Sequence, residues 1–70
     1  RTANIDQHKK KVDADPTNLS FQIDLAIAYE SANRYAEALD VYAGCLLIQP
    51  ENSDALRGKA SAKTTEVGHL

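Results

Sequence analysis

Pro16 and Pro50 lie 34 residues apart, and so do Asn18 and Asn52. The two copies read "DPTN" and "QPEN". A proline pushes the residue before it out of the helical region, so a helix usually ends there. Asparagine is among the preferred residues for opening the next helix, because its side chain can accept from an orphan backbone N–H. A chain of 70 residues punctuated twice in this way reads as helix, stop, start, with a fixed period.

The apolar spacing agrees. Ile5, His8 and Val12 form one stripe of a first helix, opened by Thr2 or Asn4 and running to about Ala14. A second helix starts at Asn18 or Ser20 and runs to about Ala32, with Phe21, Leu25, Ala28 and Ala32 as its stripe and Tyr29 alongside. Asn33 stands where a left-handed turn residue is wanted. A third helix spans about Arg34 to Ile48, with Tyr35, Leu39, Tyr42, Ala43 and Leu46 on one face. Ala38, Val41, Cys45 and Ile48 form a second apolar arc on it, which predicts a helix buried on several sides at the centre of the domain. A fourth helix, capped by Asn52 or Ser53, runs from about Asp54 to Glu66, and Gly68 marks a frayed end. No stretch alternates long enough for a strand.

Composition narrows the function classes. The formal charge is −2, but residues 18–54 carry six acids against Arg34 alone, a net of −5. Both ends are mildly basic. That distribution argues against a nucleic-acid surface, which needs a clustered basic face, and predicts neutral or basic partners. The longest apolar stretch is too short to span a membrane. Cys45 is the only cysteine, so no internal disulfide forms, and a cytoplasmic setting is favoured. A start at Arg1 rather than Met points to a piece of a longer protein.

A 34-residue period with two helices per period resembles the tetratricopeptide repeat. The first helix of that repeat follows W-x2-L-G-x2-Y, and this chain has Gln22-x2-Leu25-Ala26-x2-Tyr29. Ala38, Tyr42, Cys45 and Pro50 stand at the small, aromatic, small and proline positions of its second helix. The resemblance covers one full repeat, about residues 19–52. Gln22 departs from it, since a large apolar residue is usual there, and this weakens a contact to the preceding helix. In the next unit Leu56 and Ala60 fit, whereas Lys59 and Lys63 fall where Leu and Tyr belong. The chain then divides into an N-terminal packing helix (1–17), a tetratricopeptide-like unit (18–52) and a C-terminal closing helix with a frayed tail (53–70). The fold class implied is all-α, about four helices arranged as antiparallel hairpins of an α-solenoid. Leu25, Ala26, Tyr29, Ala38, Leu39, Tyr42, Cys45 and Leu46 are its expected helix-packing core.

By position in such repeats, the groove-facing residues are Ser20, Ile23, Asp24, Ile27, Glu30 and Ser31. The helical wheel independently sets Ile23 and Ile27 opposite Phe21, Leu25 and Ala28. Either a peptide or helix docks on them, or the first helix covers them through Ile5 and Val12. A clamp for a C-terminal carboxylate is not expected, because Ile23 and Ile27 occupy its basic and amide positions. The run His8 to Lys11 points all round a helix and reads as solvated. Cys45 reads as a buried structural thiol. His8 and His69 form no ligand spacing with it, and no catalytic constellation is evident. The chain reads as a protein–protein interaction module, not an enzyme, with no cofactor and no metal. Its alternative is structural self-association, or an accessory domain of a larger catalytic or redox protein. Repeats of this type contact only their neighbours and usually need about three units. A homodimer through the second and N-terminal helices is therefore an expected state.

Ala38 sits in the expected helix-crossing seam. Ala38→Leu should lower stability by about 1–3 kcal/mol through overpacking. Thermal melts followed by circular dichroism check this, and an unchanged midpoint would place the seam elsewhere.

Overall fold

The structure is a computed structural model that describes residues 5–68. It is all-helical, with four helices and no strand among the described residues: α1 (Ile5–Ala14), α2 (Leu19–Ser31), α3 (Tyr35–Ile48) and α4 (Ser53–Gly68). Thr2, Asn4 and His69 lie outside the described residues.

The 34-residue recurrence reappears atom by atom. Asn18 Oδ1 accepts from the Phe21 N–H at 3.2 Å, and Asn52 Oδ1 accepts from the Ala55 N–H at 2.9 Å. Each asparagine amide also donates three residues back, to Asp15 Oδ2 at 3.3 Å and to Gln49 Oε1 at 3.1 Å. The backbone N–H groups of Asp15 and Gln49 close the preceding helices on the carbonyls of Lys11 and Cys45, at 3.0 and 2.9 Å. Each of these pairs is related by the same shift in sequence. Losing such a cap typically costs about 1 kcal/mol.

The α2–α3 connection works differently. Asn33 adopts φ 63°, the left-handed conformation. Its N–H donates to the Glu30 carbonyl at 2.9 Å, and the Arg34 N–H reaches back to the Tyr29 carbonyl at 2.9 Å. These are the two bonds of a Schellman ending. Asn33 Oδ1 accepts from the Tyr35 hydroxyl at 2.9 Å. Arg34 then lies 5.0 Å from the centre of the Tyr29 ring and grips Glu37 through Nε and Nη2, at 2.6 and 2.5 Å.

Packing follows from small residues. Ala26, Ala38, Cys45, Ala55 and Ala62 are fully buried, so helices approach closely where they meet. Leu25, Tyr29 and Tyr42 are buried between them, and Leu39 and Leu46 lie partly buried at the core's margin. The Cα positions span 36 × 31 × 13 Å. Thirteen ångströms is about the depth of two stacked helices, given a Cα radius of about 2.3 Å and interaxial distances of about 8–10 Å.

Four expectations are corrected. The central helix is α2, which touches α1, α3 and α4, whereas α3 touches only α2 and α4. The second apolar arc of α3 is buried at Ala38 and Cys45 but ends in Ile48, which is half-exposed beside an 86% exposed Leu47. On α4, Leu56 and Ala60 are exposed, and the packed face is Ala55, Gly58 and Ala62 instead. Finally, Gln22 does not simply weaken its surroundings: its amide donates to the Pro16 carbonyl, and its Oε1 accepts from Cys45 Sγ at 3.2 Å.

Gly58 and Gly44 make a matched pair. A Cβ on Gly58 would overlap the Tyr42 ring and stand 2.6 Å from its hydroxyl, while one on Gly44 would meet nothing nearer than Gln22 Oε1 at 3.9 Å. Glycine inside a helix costs up to about 1 kcal/mol relative to alanine. Gly44→Ala should therefore raise stability by up to about 1 kcal/mol, and Gly58→Ala should lower it by about 1–3 kcal/mol. Urea unfolding of the two variants reads both signs; a stabilised Gly58→Ala would show that Tyr42 does not pack against α4.

Candidate functional site

Tyr42 connects three helices. It leaves α3 with 1% of its surface exposed. Its hydroxyl donates to Glu30 Oε2 on α2 at 2.5 Å, and its ring lies against the bare backbone of Gly58 on α4. Burial pushes the phenol's ionisation well above its ordinary value of 10.0, and the bond to the Glu30 carboxylate adds to this.

Above Tyr42 opens a groove of about 430 Å³ between α2 and α4. One wall is Ile23, Ile27 and Glu30, at i, i+4 and i+7 on α2. The other is Asp54, Arg57, Gly58 and Ser61 on α4. Ile23 is partly buried, and Ile27 keeps 49% of its surface exposed. α1 packs on α2, yet Ile27 stays half-exposed.

Of the six residues expected to face a groove, Ile23, Ile27 and Glu30 come together there. Ser20, Asp24 and Ser31 are exposed on α2 but do not line it. Sequence reasoning misses the floor and the far wall. It places Tyr42 in the core alone, although Tyr42 serves both core and groove. The α4 wall has a sequence signal: Asp54, Arg57, Gly58 and Ser61 are Ser20, Ile23, Asp24 and Ile27 carried forward by the 34-residue period.

The remaining reactive side chains do not join this groove. Cys45 is buried, and burial pushes its thiol up. His8 Nδ1 is a buried nitrogen without a hydrogen-bond partner, and it joins no metal-ligating group. Among the described residues no cluster of His, Cys, Asp and Glu could hold a metal ion, and no helix is long and apolar enough to cross a membrane. Comparison with protein-family models, with curated proteins and with solved structures returns no match.

The Tyr42–Glu30 bond has a pH signature. At pH 8, Tyr42→Phe should cost about 1–3 kcal/mol, because a carboxylate loses its donor. The folded protein holds the phenol neutral above 10.0. Its contribution is thus complete below that pH and is lost as pH rises beyond it. Urea unfolding should show the gap between parent and Tyr42→Phe narrowing from pH 8 to pH 11. A constant gap would contradict the assignment.

Proposed function

We propose that this chain is a protein–protein interaction module, a scaffold or adaptor element that docks a segment of another protein in the groove between α2 and α4. One observation carries the reading: Ile27 stands half-exposed beside Ile23, over a floor made by the most buried tyrosine. A β-branched side chain left open at the mouth of a concave site is a place for a partner's apolar group. The matched caps at Asn18 and Asn52 and the neighbour-to-neighbour helix contacts support a tetratricopeptide-like stack. In that reading α2 and α3 form the full hairpin, α1 precedes it, and α4 closes it.

Self-association is the second reading. It is favoured by Leu47, Ile48 and Leu56, large apolar side chains exposed outside the groove at the end of α3 and the start of α4. In that case the dimer would use this end of the molecule rather than the second and N-terminal helices.

Panning a random dodecapeptide phage library separates the readings. The parent chain should enrich peptides, and an Ile23→Glu/Ile27→Glu variant should enrich none of them while remaining helical. Absence of enrichment, together with a parent that sediments as a dimer unaffected by both substitutions, would favour self-association.

A further inference from the structure

We infer that the groove's occupant is a basic amphipathic segment, one that sets two apolar side chains on Ile23 and Ile27 and a lysine or arginine against Glu30 and Asp54. The inference rests on the docking role proposed above and adds the partner's chemistry. Ile23 and Ile27 are four residues apart on one helix, so their side chains are separated by about 6 Å along its axis. A partner matches that with residues four apart on a helix, or two apart on a strand.

Charge decides the rest. Two carboxylates, Glu30 and Asp54, line the groove against one guanidinium, Arg57. Asp24, exposed on the same helix as Ile23 and Ile27, adds a third acid outside the groove. The ion pair formed among the described residues is Arg34–Glu37, at the α2–α3 turn, and it uses none of these groups. Glu30 takes the Tyr42 hydroxyl on Oε2 only, which leaves Oε1 for a partner's cation. Even with Arg57 neutralised by one carboxylate, the lining keeps a negative excess. With Arg57, Lys59 and Lys63 of α4 counted, residues 18–68 carry seven acids against four bases, a net of −3, so the wider field keeps the same sign. An acidic segment would meet uncompensated repulsion at Glu30 on the α2 wall, since Arg57 offsets Asp54 on the α4 wall. Exposed ion pairs contribute little affinity singly, so their effect here is selection among partners of equal apolar content.

The test uses three sets of immobilised peptides. Each peptide carries two leucines four residues apart, flanked by lysines, glutamines or glutamates. Retention of the fluorescently labelled chain should be on the order of tenfold higher on the lysine set than on the glutamate set, as two exposed ion pairs allow. Glutamine peptides should fall between, and added salt should shrink the differences. Glu30→Gln/Asp54→Asn should abolish the lysine preference or turn it toward the glutamate set, because Arg57 is then the one charge left in the lining; the amide carbonyl at position 30 can still accept from Tyr42. Should that variant not fold, Asp54→Asn alone, at an exposed position, should halve the preference or more. Equal retention on the lysine and glutamate sets, or a glutamate preference, overturns this inference. The docking reading survives that result if Ile27→Glu removes binding to the glutamine set. Retention on none of the sets overturns both.

Discussion

Tyr42 reaches from α3 to two other helices at once. Its hydroxyl donates to Glu30 on α2, and its ring occupies the space where any side chain at position 58 of α4 would stand. Few large groups share that burden, because the other fully buried residues are alanines and Cys45. In a 70-residue chain, where total stability is small, a tyrosine wedged among alanines sets the spacing of the helices. The groove inherits this spacing. Its floor is Tyr42, and its walls are the two helices that Tyr42 holds.

Helices α2 and α4 begin 34 residues apart, at Leu19 and Ser53, yet bury different faces. α2 packs on both sides, burying Leu25, Ala26 and Tyr29. Carried forward by 34 residues, these positions become Lys59, Ala60 and Lys63, all exposed. Among the described residues, the packed face of α4 is that of Ala55, Gly58 and Ala62. The lysine-bearing face of α4 stays in solvent.

Helix existence and limits are legible because the signals are local. Proline stops, asparagine caps and a left-handed Asn33 each act within a few residues of themselves. Long-range packing is less legible. The apolar arcs of α3 suggest a central helix, yet apolar side chains do not say which neighbour arrives, and Leu47 and Ile48 remain uncovered. The packed face of α4 is hidden because it consists of alanine and glycine, which carry almost no hydropathy signal. Ile23, Ile27 and Glu30 emerge from the pattern on a single helix, while Asp54, Arg57 and Ser61 need the partner helix. Ser20, Asp24 and Ser31 share α2 with them but lie outside the groove, because a groove between two helices takes a narrower stripe than an exposed face.

Everything proposed for the groove depends on where the Tyr42 ring stands. Nuclear Overhauser spectroscopy of the isotope-labelled chain measures this directly. Strong cross-peaks are predicted from the Tyr42 ring protons to both Hα protons of Gly58, along with side-chain contacts to Glu30. Cross-peaks to Glu30 without any to Gly58 would detach α4 from the ring and dissolve the far wall of the groove, contradicting the arrangement described.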